Sequence, residues 1–177
     1  IQGFFDIPVD NLYGSIIFND YVKAKNLPNP VVASPDVGGV ARARALAKNL
    51  NLLDMVIVDK RREKANESEV MNIIGDVREK DVILIDDIID TAGTIVKAAD
   101  AFKKNGAVSV RAFCSHAVLS GPAYERINGS ILDELVVTDT IPLKEPSEKI
   151  KVVSVAPLFG EVIRRIYHDE SVNNLFV

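Results

Sequence analysis

Short apolar runs typical of buried β-strands alternate along the chain with stretches that have the apolar spacing of helices. We predict strands at 31–34, 55–59, 82–85, 108–115, 135–138 and 150–155, an extended segment at 70–74, and helices at 40–49, at 95–104, after Pro122, and from Pro157 to about Tyr167. This alternation predicts an α/β fold, a mostly parallel sheet with helices on both faces. Ligands bind such sheets beyond the carboxyl ends of the strands, so polar residues at those ends are the first candidates for a site.

The most informative candidate site follows the predicted strand at 82–85. Two carboxylates, Asp86 and Asp87, come directly after the four apolar residues, and Asp90 precedes the run Thr91-Ala92-Gly93-Thr94 at the start of a helical pattern. N–H groups at a helix start lack partners within the helix and carry the positive end of its dipole, and a glycine there removes bulk. We therefore predict that residues 90–94, the phosphate loop, bind a phosphate group.

The carboxylate pair Asp86 and Asp87 repels phosphate, so these side chains suit sugar hydroxyls or a divalent cation shared with a pyrophosphate. Together with the phosphate loop, the pair predicts a site for a phosphorylated sugar. The stretch contains neither the Gly-Lys-Ser/Thr of a P-loop nor Gly-x-Gly-x-x-Gly, so a general nucleotide-binding motif does not account for it. For any single Asp, an acidic strand end followed by an ordinary helix cap remains the alternative.

A second turn with the same kind of chemistry follows the first predicted strand. Residues 34–39, the glycine turn, read Ser-Pro-Asp-Val-Gly-Gly and lead into the helical pattern at 40–49. Two glycines allow positive φ and bring backbone N–H groups close to an anion, while Asp36 is placed to hold a cation. A tight turn with Asp36 as a helix cap is the alternative.

A mostly charged stretch, residues 59–69, follows the second predicted strand and begins Asp-Lys-Arg-Arg. Such a stretch is usually a solvated surface. Here the cations come directly after a strand, and transfer of a diphosphoryl group requires positive charge on the phosphorus under attack and on the leaving oxygen. A mobile loop that carries Lys and Arg fits that requirement, so we keep both interpretations.

Composition restricts the class of protein. With 177 residues, of which 47% are hydrophobic, the chain is long enough for one substantial core and is predicted to be a single domain. A net charge of −4 argues against a nucleic-acid surface. No apolar stretch approaches the roughly 18 residues that span a bilayer, so we expect no membrane partner. The single cysteine, Cys114, lies in an apolar run, which predicts a buried core residue and fits a reducing, cytoplasmic location.

The nine residues 86–94 resemble the phosphoribosyl-pyrophosphate (PRPP) loop of type I phosphoribosyltransferases and of the ribose-phosphate pyrophosphokinases, or PRPP synthetases. The runs at 2–8, 34–39, 59–62, 119–123 and 171–176 are similar to the synthetase family, in that family's order. The resemblance covers essentially the whole chain and implies one type I phosphoribosyltransferase-like domain over residues 1–177. It matches the C-terminal half of the family. Because the chain opens at Ile1 inside a motif, we interpret it as a fragment whose N-terminal half is missing.

The resemblance implies roles for each motif. The glycine turn matches the family's pyrophosphate loop, with Asp36 as a ligand of Mg²⁺, and Lys60 and Arg62 match the catalytic Lys-x-Arg in which Arg61 is the variable middle position. The 5-phosphate ligands implied are Asp90, Thr91, Ala92, Gly93 and Thr94, the pyrophosphate ligands are Ser34, Asp36, Gly38 and Gly39, and the ligands of the ribose hydroxyls or metal are Asp86 and Asp87.

The activity implied is transfer of the β,γ-diphosphoryl group of ATP to the 1-hydroxyl of ribose 5-phosphate, giving PRPP and AMP. In the family, adenine is held largely by the half that this chain lacks and by a neighbouring subunit. The resemblance therefore implies a homo-oligomer for the full-length enzyme, and an isolated fragment that binds ribose 5-phosphate without turnover. The tail resembles the family's segment for inhibitory ADP and activating phosphate, which implies effector contacts from Ser171 and from Asn173, where the family has Ser. An apolar tail packed on the domain is the alternative.

Two other functions remain as alternatives. A phosphoribosyltransferase uses the same loop but needs a base-binding hood, for which the sequence offers no segment. A non-catalytic regulatory subunit associated with PRPP synthetase is the second alternative, and such proteins tend to have disrupted catalytic loops. Here the residues of those loops are in place, namely Lys60, Arg62, Asp86, Asp87 and Asp90.

Overall fold

The structure is a computed structural model that describes residues 2–61 and 70–175. The strands are β1 (Pro30–Ser34), β2 (Met55–Arg61), β3 (Val70–Ile74), β4 (Asp81–Ile89), β5 (Ser109–Ala117), β6 (Glu134–Thr138) and β7 (Ile150–Val153). The helices are α1 (Ser15–Ala24), α2 (Val40–Asn49), α3 (Gly93–Lys104), α4 (Ala123–Gly129) and α5 (Ala156–Tyr167), with short 3₁₀ turns at Gln2–Phe4 and Asn173–Leu175. In the described part of the chain, no helix is long and apolar enough to cross a bilayer.

The strands form one seven-stranded sheet in the order β3-β2-β1-β4-β5-β6-β7, in which β3 is antiparallel and every other neighbouring pair is parallel. Alternate residues of β4 supply two separate cores. Val82 and Leu84 face the core beneath α3 and α4, whereas Ile83 and Ile85 face the core beneath α1 and α2. The predicted α/β class, with helices on both faces, is confirmed.

Of the predicted boundaries that differ from the structure, three bear on the site. Strand β4 does not stop at the carboxylates but continues through Asp86 and Asp87 to Ile89, because β5 pairs with it as far as the Ile89–Ala117 partners. Helix α3 begins at Gly93, two residues before the prediction. Strand β2 continues to Arg61 because the antiparallel β3 pairs with it.

Helix α1 was not predicted, although its sequence carries a signal. Phe18 and Val22, four residues apart, are its buried residues, which is the spacing of one helical face. The ring of Phe18 packs edge-on against Phe113 of β5 with 5.4 Å between centroids. Packing against the sheet shows which face of this segment is buried.

We predict that Cys114 is chemically inert in the folded protein. Its side chain is completely buried, and this burial raises the pKa of the thiol to about 12 from its ordinary 9.0. At pH 8 about a tenth of an ordinary thiol is ionised, against about one ten-thousandth at the raised pKa. A disulfide exchange reagent at pH 8 should therefore modify Cys114 only after denaturant unfolds the chain. Modification of the native protein within minutes would contradict the burial.

Candidate functional site

The phosphate loop and the glycine turn lie side by side at the centre of the sheet. Strands β1 and β4 are parallel neighbours, and Ala33 pairs with Leu84, so the carboxyl end of β1 lies beside the carboxylates of β4. The chain moves outward from β1 to β2 on one side and from β4 to β5 on the other. This is the topological switch point at which open α/β sheets bind their ligands. The structure thus brings the two motifs together at one edge of the sheet.

The start of α3 has the geometry of an anion site. Ala92 is the residue before the helix, it adopts a left-handed conformation with φ 60, and no side chain caps the helix start. The first N–H groups of α3 are therefore available to an anion, with the exposed Thr91 and Thr94 on either side. The left-handed turn falls on Ala92 rather than on Gly93. The methyl group of Ala92 is buried in the core beneath α3, which explains why an alanine occupies this strained position.

The segment between β5 and α4 holds the phosphate loop in place. Ser120 donates a hydrogen bond from its hydroxyl to Asp90 Oδ1, and its backbone N–H donates to the Asp90 carbonyl at 3.0 Å. Arg126 Nη1 donates to the Thr91 carbonyl at 2.8 Å. Sequence reasoning missed Arg126, and only contact across the fold reveals it. The carboxylate of Asp90 is thus engaged with Ser120, and the backbone of the loop is fixed on one side.

The carboxylate pair is bridged by an arginine that sequence reasoning also missed. Arg42, in the first turn of α2, places Nη1 at 3.2 Å from Asp86 Oδ1 and Nη2 at 2.6 Å from Asp87 Oδ2. Burial raises the pKa of Asp86 to about 6, the neighbouring charge of Asp87 acts in the same direction, and Arg42 opposes both. Asp86 therefore remains mostly ionised at pH 7 and can accept hydrogen bonds from sugar hydroxyls.

The glycine turn is closed by its own side chains. The buried Ser34 donates its hydroxyl to the Asp36 carbonyl at 2.6 Å, and Asp36 Oδ1 accepts the Gly39 N–H at 2.9 Å. The expected positive φ is wrong, because Gly39 has φ −83 and Gly38 is not among the positive-φ glycines. Space explains the glycine at 39, where an added Cβ would lie 2.6 Å from Ser34 Oγ.

The side chains at this site could hold Mg²⁺ only together with further oxygen atoms from a bound ligand. Within residues 2–61 and 70–175, no group of three or more His, Cys, Asp or Glu side chains is arranged to hold a metal. Mg²⁺ is commonly bound through one or two carboxylates together with substrate phosphates and water. Asp36 and the carboxylate pair, which lie at adjacent strand ends, supply oxygen donors of that kind.

The remaining predicted site residues lie elsewhere. The backbone of Lys60 belongs to β2, where it pairs with Met71, so this position is in a strand rather than a loop. Arg62 lies outside the described residues. Ser171 and Asn173 follow α5, where the Ser171 carbonyl accepts a hydrogen bond from Arg165 Nη1 at 3.0 Å and the Ser171 hydroxyl accepts the Asn173 N–H at 3.2 Å. Their assignment as effector ligands stays a prediction.

An open cavity of about 740 Å³ lies between α1 and α2 and reaches Asp87 of the carboxylate pair. Asp87 and Arg42 line it on the side of the site, and Tyr13, Lys48 and His116 contribute to its walls. His116 is exposed at the end of β5, with Nδ1 at 2.9 Å from Thr140 Oγ1. The cavity gives a ligand at Asp87 room to extend beyond the phosphate loop.

The fold and the two motifs define a type I phosphoribosyltransferase-like domain. A purine phosphoribosyltransferase from Pyrococcus horikoshii Ot3 shares this fold with a TM-score of 0.51 and 21% identity over 78% of this chain and 84% of that one. The crystal structure of phosphoribosylpyrophosphate synthetase from Mycobacterium smegmatis is more similar, with a TM-score of 0.85 and 34% identity over 95% of this chain and 55% of that one.

Residues 57–177 match the family model described as phosphoribosyl synthetase-associated domain. The ribose-phosphate pyrophosphokinase of Campylobacter jejuni is 75% identical over 100% of this chain, which corresponds to 57% of that protein. The chain therefore belongs to the family of the phosphoribosyl synthetase-associated domain, and it spans little more than half the length of the curated relatives it matches. Its assignment as the C-terminal half stays a prediction.

We predict that the two glycines of the glycine turn differ in their tolerance of a side chain. In Gly39→Ala the new methyl group would press on Ser34 Oγ, whereas in Gly38→Ala the nearest atom is Asp36 Oδ1 at 3.4 Å. Overpacking at a buried position costs about 1–3 kcal/mol, so urea unfolding should show a loss of that size for Gly39→Ala. Gly38→Ala, the matched control, should remain within about 0.5 kcal/mol of the wild type. Equal stability of the two variants would contradict the close packing at Gly39.

Proposed function

We propose that this chain is the ribose 5-phosphate-binding domain of a ribose-phosphate pyrophosphokinase, with PRPP and AMP as the products of the whole enzyme. The observation that supports it most strongly is the carboxylate pair directly ahead of an uncapped helix start at the switch point of the sheet. A sugar phosphate needs this combination, because its phosphate favours helix N–H groups and its hydroxyls favour carboxylate acceptors. The name of the 75% identical relative supports the same activity.

In the proposed complex the 5-phosphate lies against the backbone N–H groups of residues 91–94, and the ribose hydroxyls donate to Asp86 and Asp87. The glycine turn holds the diphosphoryl group of the donor, ATP. The 1-hydroxyl oxygen attacks the β-phosphorus of ATP and releases its proton to water as the new O–P bond forms. The bond between the β-phosphorus and the oxygen that bridges it to the α-phosphorus breaks, and AMP leaves with that oxygen. Bound Mg²⁺ would neutralise phosphate charge at Asp36, and Lys60 and Arg62 would stabilise the charge on the transferred group.

The alternatives receive less support. A phosphoribosyltransferase would share the phosphate loop, but the purine phosphoribosyltransferase comparison at 21% identity shows the fold alone. A regulatory subunit without catalysis would need no intact site, whereas here Asp86, Asp87 and Asp90 are present and held by the contacts of Arg42 and Ser120. ADP and phosphate as effectors, a homo-oligomeric full-length enzyme and a cytoplasmic location belong to the proposal. The absence of turnover in the isolated chain is also part of the proposal.

The phosphate loop can be tested by calorimetry with ribose 5-phosphate. Gly93→Val should weaken binding at least tenfold, about 1.4 kcal/mol, because the branched side chain crowds the N–H groups at the start of α3. Gly160→Val is the matched control, since Gly160 also lies in a helix, α5, and an added Cβ there would meet nothing within 4 Å beyond its chain neighbours and its own helix backbone. Ribose 5-phosphate affinity that survives Gly93→Val unchanged would refute the assignment of the loop.

The proposed catalytic role of the charged stretch, residues 59–69, can be tested only in a protein of the relatives' full length. In such an enzyme, Lys60→Ala should lower kcat at least about a hundredfold, the effect of removing one preorganised charge at the transition state, with the melting temperature unchanged. Arg61→Ala, at the variable middle position, is the control and should retain kcat within about threefold. Turnover of Lys60→Ala close to that of the wild type would show that Lys60 is a solvated surface residue without a catalytic role.

A further inference from the structure

Arg42 occupies a bridging position that no motif indicated. It lies in the first turn of α2, directly after the glycine turn, and its two terminal nitrogens reach one oxygen of Asp86 and one oxygen of Asp87. The side chains of Arg42 and Asp86 are 28% and 20% exposed, whereas that of Asp87 is 57% exposed. The ion pair with Asp86 is therefore partly shielded from water, and the same guanidinium restrains the more exposed carboxylate.

The backbone around Arg42 leaves room for this contact. Nη1 of Arg42 would lie 3.3 Å from a Cβ at Gly39, tighter than ordinary packing, so the glycine there leaves space for the guanidinium as well as for Ser34. Asp86 Oδ1 also accepts the Asp87 N–H at 2.9 Å, which fixes the first carboxylate from a second direction. One side chain thus connects the glycine turn on β1 with the carboxylate pair on β4.

We propose that Arg42 is a positioning residue that aligns Asp86 and Asp87 for the ribose hydroxyls, without itself contacting the sugar phosphate. The inference rests on the proposed function and assigns a residue that acts on the sugar through the carboxylates. Adjacent carboxylates repel each other and would turn apart in water. The planar fork of arginine contacts one oxygen of each, and it sets the direction of the other oxygen.

The shape of the guanidinium matters as much as its charge. Arginine presents several N–H donors in a rigid plane, whereas lysine offers a compact charge on a flexible stem. Arg42→Lys should therefore keep the charge but lose one of the two contacts, and Arg42→Met should lose both while keeping an unbranched side chain of related length. Arg44, an exposed arginine in the same helix, provides the matched control variant Arg44→Met.

The experiment compares two ligands, ribose 5-phosphate and inorganic phosphate, by calorimetry in a buffer with Mg²⁺ and no phosphate. For Arg42→Met we expect ribose 5-phosphate affinity to fall at least tenfold while inorganic phosphate affinity stays within threefold of the wild type. Arg42→Lys should give an intermediate loss for the sugar phosphate, and Arg44→Met should change neither affinity. Circular dichroism and thermal unfolding of each variant show that the fold is retained, and Arg42→Lys carries the test if Arg42→Met does not fold.

The outcomes separate the inference from the proposed function. If the wild type itself binds ribose 5-phosphate no better than inorganic phosphate, the proposed function fails and the inference falls with it. If the wild type discriminates but Arg42→Met and Arg42→Lys bind ribose 5-phosphate within twofold of it, the positioning role is wrong and the proposed function stands. An equal loss for both ligands would also overturn the inference, because it would assign Arg42 to the phosphate or to general stability.

A double-mutant cycle measures the coupling between Arg42 and Asp87 in ribose 5-phosphate binding, which a merely structural role of Arg42 would not produce. Asp87→Asn should weaken ribose 5-phosphate binding in the wild type but should add little further loss when combined with Arg42→Met, because the two residues act on the same hydroxyl contacts. We expect the loss in the double variant to be smaller than the product of the two single losses by at least about twofold, which is about 0.5 kcal/mol and typical of residues in direct contact. Additive losses would show that Arg42 acts independently of Asp87 and would overturn the proposal.

Discussion

The pairing of β4 with both of its neighbours is the constraint on which the rest of the structure depends. Val82 to Ile85 are buried on both faces between two layers of helices, and backbone pairing with β1 and β5 leaves this strand one position and one register. A slip by one residue would exchange the two cores, because alternate side chains face opposite layers. The same register places Asp86 and Asp87 beside the glycine turn, so the packing of the core also sets the geometry of the site.

The two ends of the sheet handle charge in different ways. At the amino ends of the strands, the buried Glu134 accepts hydrogen bonds from Tyr21 at 2.8 Å and from Arg111 at 3.1 Å, and it lies 3.0 Å from Lys25 Nζ. Its hydrogen bond raises the pKa of Lys25. Removing one partner would leave a buried charge uncompensated, which is costly. At the carboxyl ends, by contrast, the two carboxylates of Asp86 and Asp87 share one described cation, Arg42. The start of α3 there has no capping side chain.

The excess of carboxylates and the uncapped helix start are unfavourable in the protein without a ligand, and a bound ligand would stabilise both. Burial, together with the neighbouring charge of Asp87, raises the pKa of Asp86 to about 6, and Ala92 holds a left-handed conformation that a residue with a side chain rarely adopts. Such features are concentrated at binding sites because the surrounding fold enforces them and a bound ligand compensates for them. The contacts of Arg42, Ser120 and Arg126, which come from three other parts of the chain, are what keeps the site in place without a ligand.

Local pattern alone determined the α/β class, helix α2, the approximate places of the strands, and the two motifs that meet at the switch point. These features follow from neighbouring residues, since apolar runs, glycines and helix starts are all read within about ten positions. Tertiary structure decided the rest. Strand β4 continues through two charged residues because β5 pairs with it, Gly39 is a glycine because Ser34 and Arg42 occupy the space beside it, and the carboxylates are bridged by an arginine 44 residues away from Asp86. No local pattern marks such contacts, because they arise only when strands and helices that are distant in sequence pack together.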